Sequence, residues 1–220
     1  IKFVAQRKID ILVLECMAVN PEYQWVTEHQ MVKADVGVIT NSRPDHLDLM
    51  GPGLRNVTLS LCNTIPKKGI MFTAERKVFP LMKKEADKLK AKLIQSDENS
   101  VSDEDMQGFY YFEHKENVAL ALKICEYFGI DKKTALAGMY EATPDIGATE
   151  IMKVIHKNKE LYFAHSFAAN DPESTEFLIR NILNSYKNVA SVIFILSTRA
   201  DRMFRSKQLL EMLTKFDFQA

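Results

Sequence analysis

An α/β fold with a mostly parallel sheet is the class this sequence predicts, and three observations carry it. Short apolar, β-branched runs alternate with longer stretches of helical period. The strands are separated by helices of roughly 10–15 residues, as right-handed crossovers between parallel strands require. Hydrophobic residues make up 46% and charged residues 26% of the 220 positions, which is globular rather than disordered composition. Lys plus Arg number 29 and Asp plus Glu number 29. At zero net charge a general grip on nucleic acid or an anionic membrane surface has no support, and no nucleic-acid partner is expected.

The first strand is residues 9–14 (I-D-I-L-V-L), ending on Glu15. Residues 22–33 have helical character, and residues 36–40 (V-G-V-I-T) form a second strand closed by Asn41. Residues 53–63 are helical, with Leu54, Val57 and Leu61 on one face. Residues 69–73 are a third strand, 76–91 a charged amphipathic helix and 92–95 a weak fourth strand. Residues 96–107 are acidic, lack periodicity and read as a loop. Residues 115–128 carry Val118, Leu120, Ala121, Ile124, Cys125 and Phe128 at helical spacing and stop at Gly129. Asp131 caps a helix running through Tyr140.

The stretch 142–149 (A-T-P-D-I-G-A-T) breaks both periods and marks a boundary between a domain of residues 1–145 and the start of a second, 150–220. Beyond it come strands at 151–156 and 160–164, a helix from 172 to 186, a buried strand at 189–196 and a helix at 205–216. The chain opens with I-K-F-V, without an initiator Met or a basic-then-apolar leader, and reads as a piece of a longer protein. Its longest uncharged apolar run, near 188–198, is about half the roughly 20 residues of a membrane-spanning helix. Cys16, Cys62 and Cys125 are scattered among apolar neighbours, as expected of reduced and mostly buried thiols.

Ligands of open parallel sheets sit beyond the carboxyl ends of the strands. Two such ends carry chemistry here. Glu15 closes the first strand, either as a solvated residue leaving the core or as a metal ligand in the manner of an acid ending a Walker B strand. The second strand runs into N-S-R-P-D-H-L-D-L-M-G, with Asn41, Asp45, His46 and Asp48 packed into a few positions. That cluster suits a capped turn and a metal site about equally. Oxygen ligands favour magnesium, and an imidazole leans towards manganese or zinc. In S-T-R-A-D-R-M-F-R, Arg199, Arg202 and Arg205 suit a grip on phosphate or on substrate carboxylates. The bland reading is a helix start with internal Arg–Asp pairing. His29, His114, His156 and His165 are single residues without metal spacing.

Four segments together carry a family resemblance: E-C-M-A-V-N-P-E-Y-Q (15–24), R-P-D-H-L-D (43–48) with N-T-I-P-K (63–67), F-E-H-K-E-N-V-A-L-A-L (112–122) and F-A-A-N-D-P-E-S-T (167–175). In order and across nearly the whole chain they resemble the Mur ligase superfamily, closest to its capsule-type poly-gamma-glutamate synthase branch. The resemblance implies a P-loop-type central domain, lacking its N-terminal part, followed by part of a Rossmann-like domain. It implies an enzyme that joins a carboxylate to an amine with ATP and Mg2+ through an acyl phosphate. Glu15 would hold magnesium beside the ATP phosphates, and His46 would complete a second magnesium site, with Asn41, Asp45 and Asp48 supporting them. Asn117 matches the asparagine beside the adenine, and Asn170 and Asp171 the loop closing over the nucleotide. The implied acceptor is glutamate or poly-gamma-glutamate. The implied partners are small membrane-spanning synthase subunits that hold the protein at the cytoplasmic face of the membrane, and homo-oligomers are admitted.

The departures from the family pattern are specific. The glycine-rich P-loop, which lies ahead of the Walker B-like strand, is absent from this sequence, so the isolated chain is expected to be inactive. The carbamylated lysine of many relatives has no counterpart near Leu61, nor has the junction arginine in P-D-I-G-A-T-E (144–150). Another ligase of the superfamily, acting on folate or a cell-wall precursor, is the nearer alternative. A non-catalytic nucleotide-binding or docking module is the more distant one.

Overall fold

The computed structural model describes residues 6–144, 148–167, 169, 171–186, 188–198, 200 and 203–216. The chain divides into two units, Ile1–Ser96 and Asp97–Ala220. In the first, three apolar runs pair as a parallel sheet: β1 (Val36–Ile39), β2 (Ile70–Thr73) and β3 (Lys92–Gln95), in the order β1-β2-β3. Val36 stands opposite Ile70, and Ile70 opposite Lys92. Neighbouring strand residues point to opposite faces, yet Met71 and Phe72 of β2 are 0% and 1% exposed. The central strand is therefore covered on both faces, as parallel sheets are.

The helices of this unit are α1 (Pro21–Val26), the short α2 (Leu47–Met50), α3 (Gly53–Leu61) and α4 (Phe79–Lys88). Asn20 starts α1 by accepting the Glu22 N–H, with Pro21 in the first turn where its missing N–H costs nothing. The helix loosens into a π turn, Thr27–Val32, and ends at Lys33 in the left-handed conformation. Buried Glu28 accepts the Ala34 N–H at 3.1 Å there, and burial pushes its carboxyl above the ordinary range. Met82 and Ala86, one turn apart on α4, pack with Ile39, Ile65 and Met71 to form the core. Gly37 is required by that packing, because a Cβ would lie 2.7 Å from the Met71 Cε and 2.8 Å from the Pro66 Cδ.

The second unit holds α5 (Asp103–Met106), α6 (Lys115–Tyr127), α7 (Lys132–Glu141), β4 (Glu150–His156), β5 (Lys159–His165), α8 (Pro172–Ser185) and α9 (Met203–Lys215). Val101, Val118, Ala119 and Leu136 make its buried cluster. Tyr140 closes it, its ring edge-on to Phe109 and its hydroxyl donating to the Asp105 carbonyl at 2.6 Å. Ser102 and Asp105 form a reciprocal capping box at the start of α5, so a helical turn stands within the segment read as loop.

Three further expectations are corrected. Residues 9–14 are exposed and pair with no described strand, with Val13 88% exposed. The run has strand propensity, but a strand exists only through its ladder. Residues 189–196 fail for the same reason: they are unpaired and not buried, with Ile193 84% and Ile195 86% exposed. The one ladder of the second unit among the described residues is antiparallel, Glu150 opposite His165. Lys157 and Asn158, both at positive φ, make the tight turn between β4 and β5. Such a turn returns the chain antiparallel, because a parallel crossover needs a dozen or more residues. The cysteines also differ from expectation, since Cys62 is buried, Cys125 partly so, and Cys16 exposed.

Gly37→Ala is expected to lower stability by about 1–3 kcal/mol through overpacking. Gly138→Ala, exposed on α7 with nothing within 4 Å, is expected to raise it by about 1 kcal/mol. Urea unfolding midpoints of the two variants check both signs. Burial pushes the Cys62 thiol up to about 12, so alkylation of the native protein at mildly alkaline pH should label Cys16 and spare Cys62 until denaturant is added.

Candidate functional site

In the first unit the site forms where β1 and β2 end. The ladder runs one residue past β1, the Ala74 N–H donating to the Thr40 carbonyl at 3.1 Å. The chain then turns through Asn41 to His46. Ser42 anchors this turn from inside: its N–H donates to Glu75 Oε2 at 2.8 Å, and its Oγ lies 2.7 Å from Thr58 Oγ1 on α3. The Thr58 hydroxyl donates to the Leu54 carbonyl at 2.7 Å. Its single proton is thereby spent, so the Ser42 hydroxyl is the donor between the two side chains.

Glu75 follows β2 and is 7% exposed. Besides Ser42, its carboxylate accepts the N–H groups of Lys77 at 2.7 Å and Val78 at 3.3 Å, where the chain enters α4. Its N–H donates to Thr73 Oγ1, and its carbonyl accepts Gln95 Nε2 from the end of β3. One buried acid thus ties together the exits of all three strands. Charge-assisted bonds from backbone N–H groups stabilise a buried carboxylate.

On the outer side of the turn, Asp45 and His46 stand together. The His46 N–H donates to Asp45 Oδ1 at 2.9 Å, and His46 Nε2 lies 3.6 Å from Asp45 Oδ2. His46 has φ +50°, a left-handed conformation that costs roughly 1–2 kcal/mol for a residue with a Cβ. Its carbonyl accepts the N–H groups of Leu49 and Met50, starting α2. Asn41 is partly buried and Asp48 exposed in that turn of helix.

Glu15 lies on the extended segment before α1, exposed and without a hydrogen bond or ion pair among the described residues. The structure therefore brings Asp45 and His46 together but makes no direct bond from either to Glu15. What fixes the segment after Glu15 is Gln24, 1% exposed on α1. Its Nε2 donates to the Ala18 carbonyl at 3.1 Å, and its Oε1 accepts the Ser60 hydroxyl of α3 at 2.7 Å.

In the second unit, Asn117 in the first turn of α6 donates through Nδ2 to Glu113 Oε1 at 3.0 Å, and the same oxygen accepts the His114 N–H at 2.8 Å. The His114 ring stacks on Phe177 of α8, centroids 5.2 Å apart, with Phe112 edge-on to it. That stack brings the start of α6 against the second turn of α8. Asp171 caps α8, its carboxylate accepting the Ser174 N–H at 2.9 Å. Asn170, Arg199 and Arg202 lie outside the described residues, and Arg205 is partly buried in the first turn of α9.

Among the described residues no three His, Cys, Asp or Glu side chains converge as a metal cage. Mg2+ needs no such cage, since it keeps several waters and takes one or two carboxylates together with substrate phosphates. The structure places one carboxylate and one imidazole, Asp45 and His46, side by side at the strand end. Gln24, Ser42, Thr58, Ser60 and Glu75 do not stand out in the sequence as site residues. The available signal is polar residues at 58 and 60 of a helix whose other inward positions are apolar.

Residues 1–144 match the Mur ligase middle domain, and residues 151–220 match the poly-gamma-glutamate synthase CapB C-terminal domain. The chain belongs to the Mur ligase family. It is 37% identical over 209 residues to the capsule biosynthesis protein CapB of Bacillus anthracis, covering 94% of this chain and 45% of that protein. It is 35% identical over 210 residues to the PGA synthase CapB of Bacillus subtilis, covering 92% and 52%. The chain thus spans about half the length of these curated relatives.

Among solved structures, Escherichia coli FolC aligns with a TM-score of 0.61 at 18% identity, over 82% of this chain and 46% of that one. A Thermotoga maritima folylpolyglutamate synthase aligns with a TM-score of 0.55 at 19% identity, over 82% and 45%. These likenesses show that the two proteins share the fold of this chain. No helix among the described residues is long and apolar enough to cross a membrane.

Glu75→Ala is expected to strand the buried Ser42 N–H and the donors at the start of α4, costing about 2–4 kcal/mol. Chemical denaturation checks the magnitude, and Glu75→Gln, which keeps one carbonyl acceptor, should lose less.

Proposed function

We propose that the protein is an ATP-dependent ligase that extends poly-gamma-glutamate. The carrying observation is the coincidence of a match to the Mur ligase middle domain with a match to the poly-gamma-glutamate synthase CapB C-terminal domain, in one chain and in order. The two curated relatives support the same reading over more than nine-tenths of this chain.

In the proposed reaction a γ-carboxylate oxygen attacks the γ-phosphorus of ATP, and ADP leaves with the bonding electrons. The amine nitrogen of glutamate then attacks the acyl carbon, inorganic phosphate departs, and the amine proton passes to a base. Glu15, Asp45 and His46 are the residues that would hold Mg2+. The ion supplies positive charge where two anions must meet. The turn at 41–46 presents Asp45 and His46 from a buried anchor, so their orientation is set before substrate arrives. Asn117, with its amide fixed by Glu113, would face the adenine, and the α8 start at Asn170 and Asp171 would close over the nucleotide. Arg199, Arg202 and Arg205 would take the carboxylates of the glutamate chain. Attachment to the membrane would run through partner subunits.

The test is ADP release by the natural protein at its full length, with Mg2+ and glutamate or its polymer as acceptor. Release should depend on glutamate, and His46→Ala should reduce it about 100-fold or more while leaving the fold intact. Release stimulated by a folate or a cell-wall precursor and not by glutamate would overturn the assignment.

A further inference from the structure

We infer that α3 is the strut that holds both candidate metal-bearing segments, and that Gln24, Ser42, Thr58, Ser60 and Glu75 are positioning residues for the site. The inference rests on the ligase reading for what the site does, and on geometry for the rest. Thr58 and Ser60 are two positions apart on one helix, which turns about 100° per residue, so their side chains leave it on nearly opposite sides. Thr58 meets Ser42, four positions before His46. Ser60 meets Gln24, whose amide reaches the Ala18 carbonyl, three positions after Glu15.

The directions of these bonds are determined. The Ala18 carbonyl can only accept, so the Gln24 nitrogen faces it and the Gln24 oxygen is left for Ser60. The Ser42 hydroxyl must donate to Thr58, since the Thr58 proton is on Leu54. Glu75 then fixes the Ser42 backbone from the strand side. Gln24 and Thr58 are each 1% exposed, Ser60 3% and Ser42 5%. Apolar residues of the same shape would be about as stable at such positions, because a buried hydrogen-bonded pair gains little net free energy. What the polar pairs add is direction: each accepts one arrangement of its partners and leaves a donor stranded in any other. One chain of bonds ends on the Ser42 hydroxyl and the other on the Ala18 carbonyl, each in a segment that carries a candidate ligand. Bonds that orient metal ligands from behind characteristically change metal affinity by about 10–100-fold when removed.

The experiment uses the natural protein at its full length, with Mn2+ as the probe in the presence of ADP. Free Mn2+ is read by electron paramagnetic resonance, and the Mg2+ half-saturation of glutamate-dependent ADP release is measured in parallel. Ser60→Ala and Thr58→Val should each weaken Mn2+ binding about 10-fold or more and raise the Mg2+ requirement by a similar factor. Thr58→Ser, which keeps the hydroxyl, should restore both, and Gly138→Ala should change neither. Circular dichroism shows that the variants compared are folded. Unchanged Mn2+ affinity in both variants, or no Mn2+ binding by the unsubstituted protein, overturns the inference. If Mn2+ affinity falls as expected but glutamate elicits no ADP release, the strut stands and the ligase reading falls. If release depends on glutamate but Mn2+ affinity is unchanged in both variants, the ligase reading stands and the strut falls.

Discussion

The first unit depends on a constraint that is polar rather than apolar: buried hydrogen-bonding side chains on and around α3 must all be satisfied at once. Thr58, Ser60, Gln24, Ser42 and Glu75 are each less than a tenth exposed. Every one of them would cost free energy if its partner moved away. Apolar contacts among Ile39, Met71, Met82 and Ala86 hold the sheet against its helices, but such contacts tolerate small shifts. A hydroxyl 2.7 Å from its acceptor does not. The apolar core therefore supplies cohesion, and the polar inclusions supply the alignment of strand exits, turn and helix.

Glu75 shows how that alignment reaches the chemistry. A carboxylate enclosed at the end of β2 is a burden on a fold unless donors converge on it. Here the donors are backbone N–H groups of the 41–46 turn and of the entry to α4, with the Gln95 amide on its own carbonyl. The turn that carries Asp45 and His46 is consequently fixed by its inner residue, Ser42, with Asp45 and His46 on its outer side. The left-handed φ of His46 fits that division, since strain in a backbone persists where the surroundings impose it.

Much of this is legible in the sequence, and what is not has identifiable causes. The three parallel strands, α3, α4, α6, α7 and α8 stand close to where periodicity and capping residues put them, because each element carries its own local signals. Residues 9–14 and 189–196 have composition suited to strands, but pairing is a property of two segments and composition describes one. The hairpin of β4 and β5 is readable from its turn length, which excludes a crossover. At the site, Asp45 and His46 are neighbours in sequence and remain neighbours in space. The link from Glu15 to that turn is not readable, because it runs through Gln24 and Ser60, 36 positions apart. Polar residues on an inward helix face are the only trace of it. Residue types alone leave the metal open between magnesium, manganese and zinc.

The most direct measurement is backbone amide exchange at Ser42, compared between the unsubstituted protein and Thr58→Val. The Ser42 N–H is buried and bonded to Glu75, and its side chain is held by Thr58. If α3 governs the turn, removing one hydroxyl on that helix should speed exchange at Ser42 and through residues 43–46 while leaving β2 amides protected. Unchanged protection across the turn would contradict this and leave α3 as an ordinary packing helix.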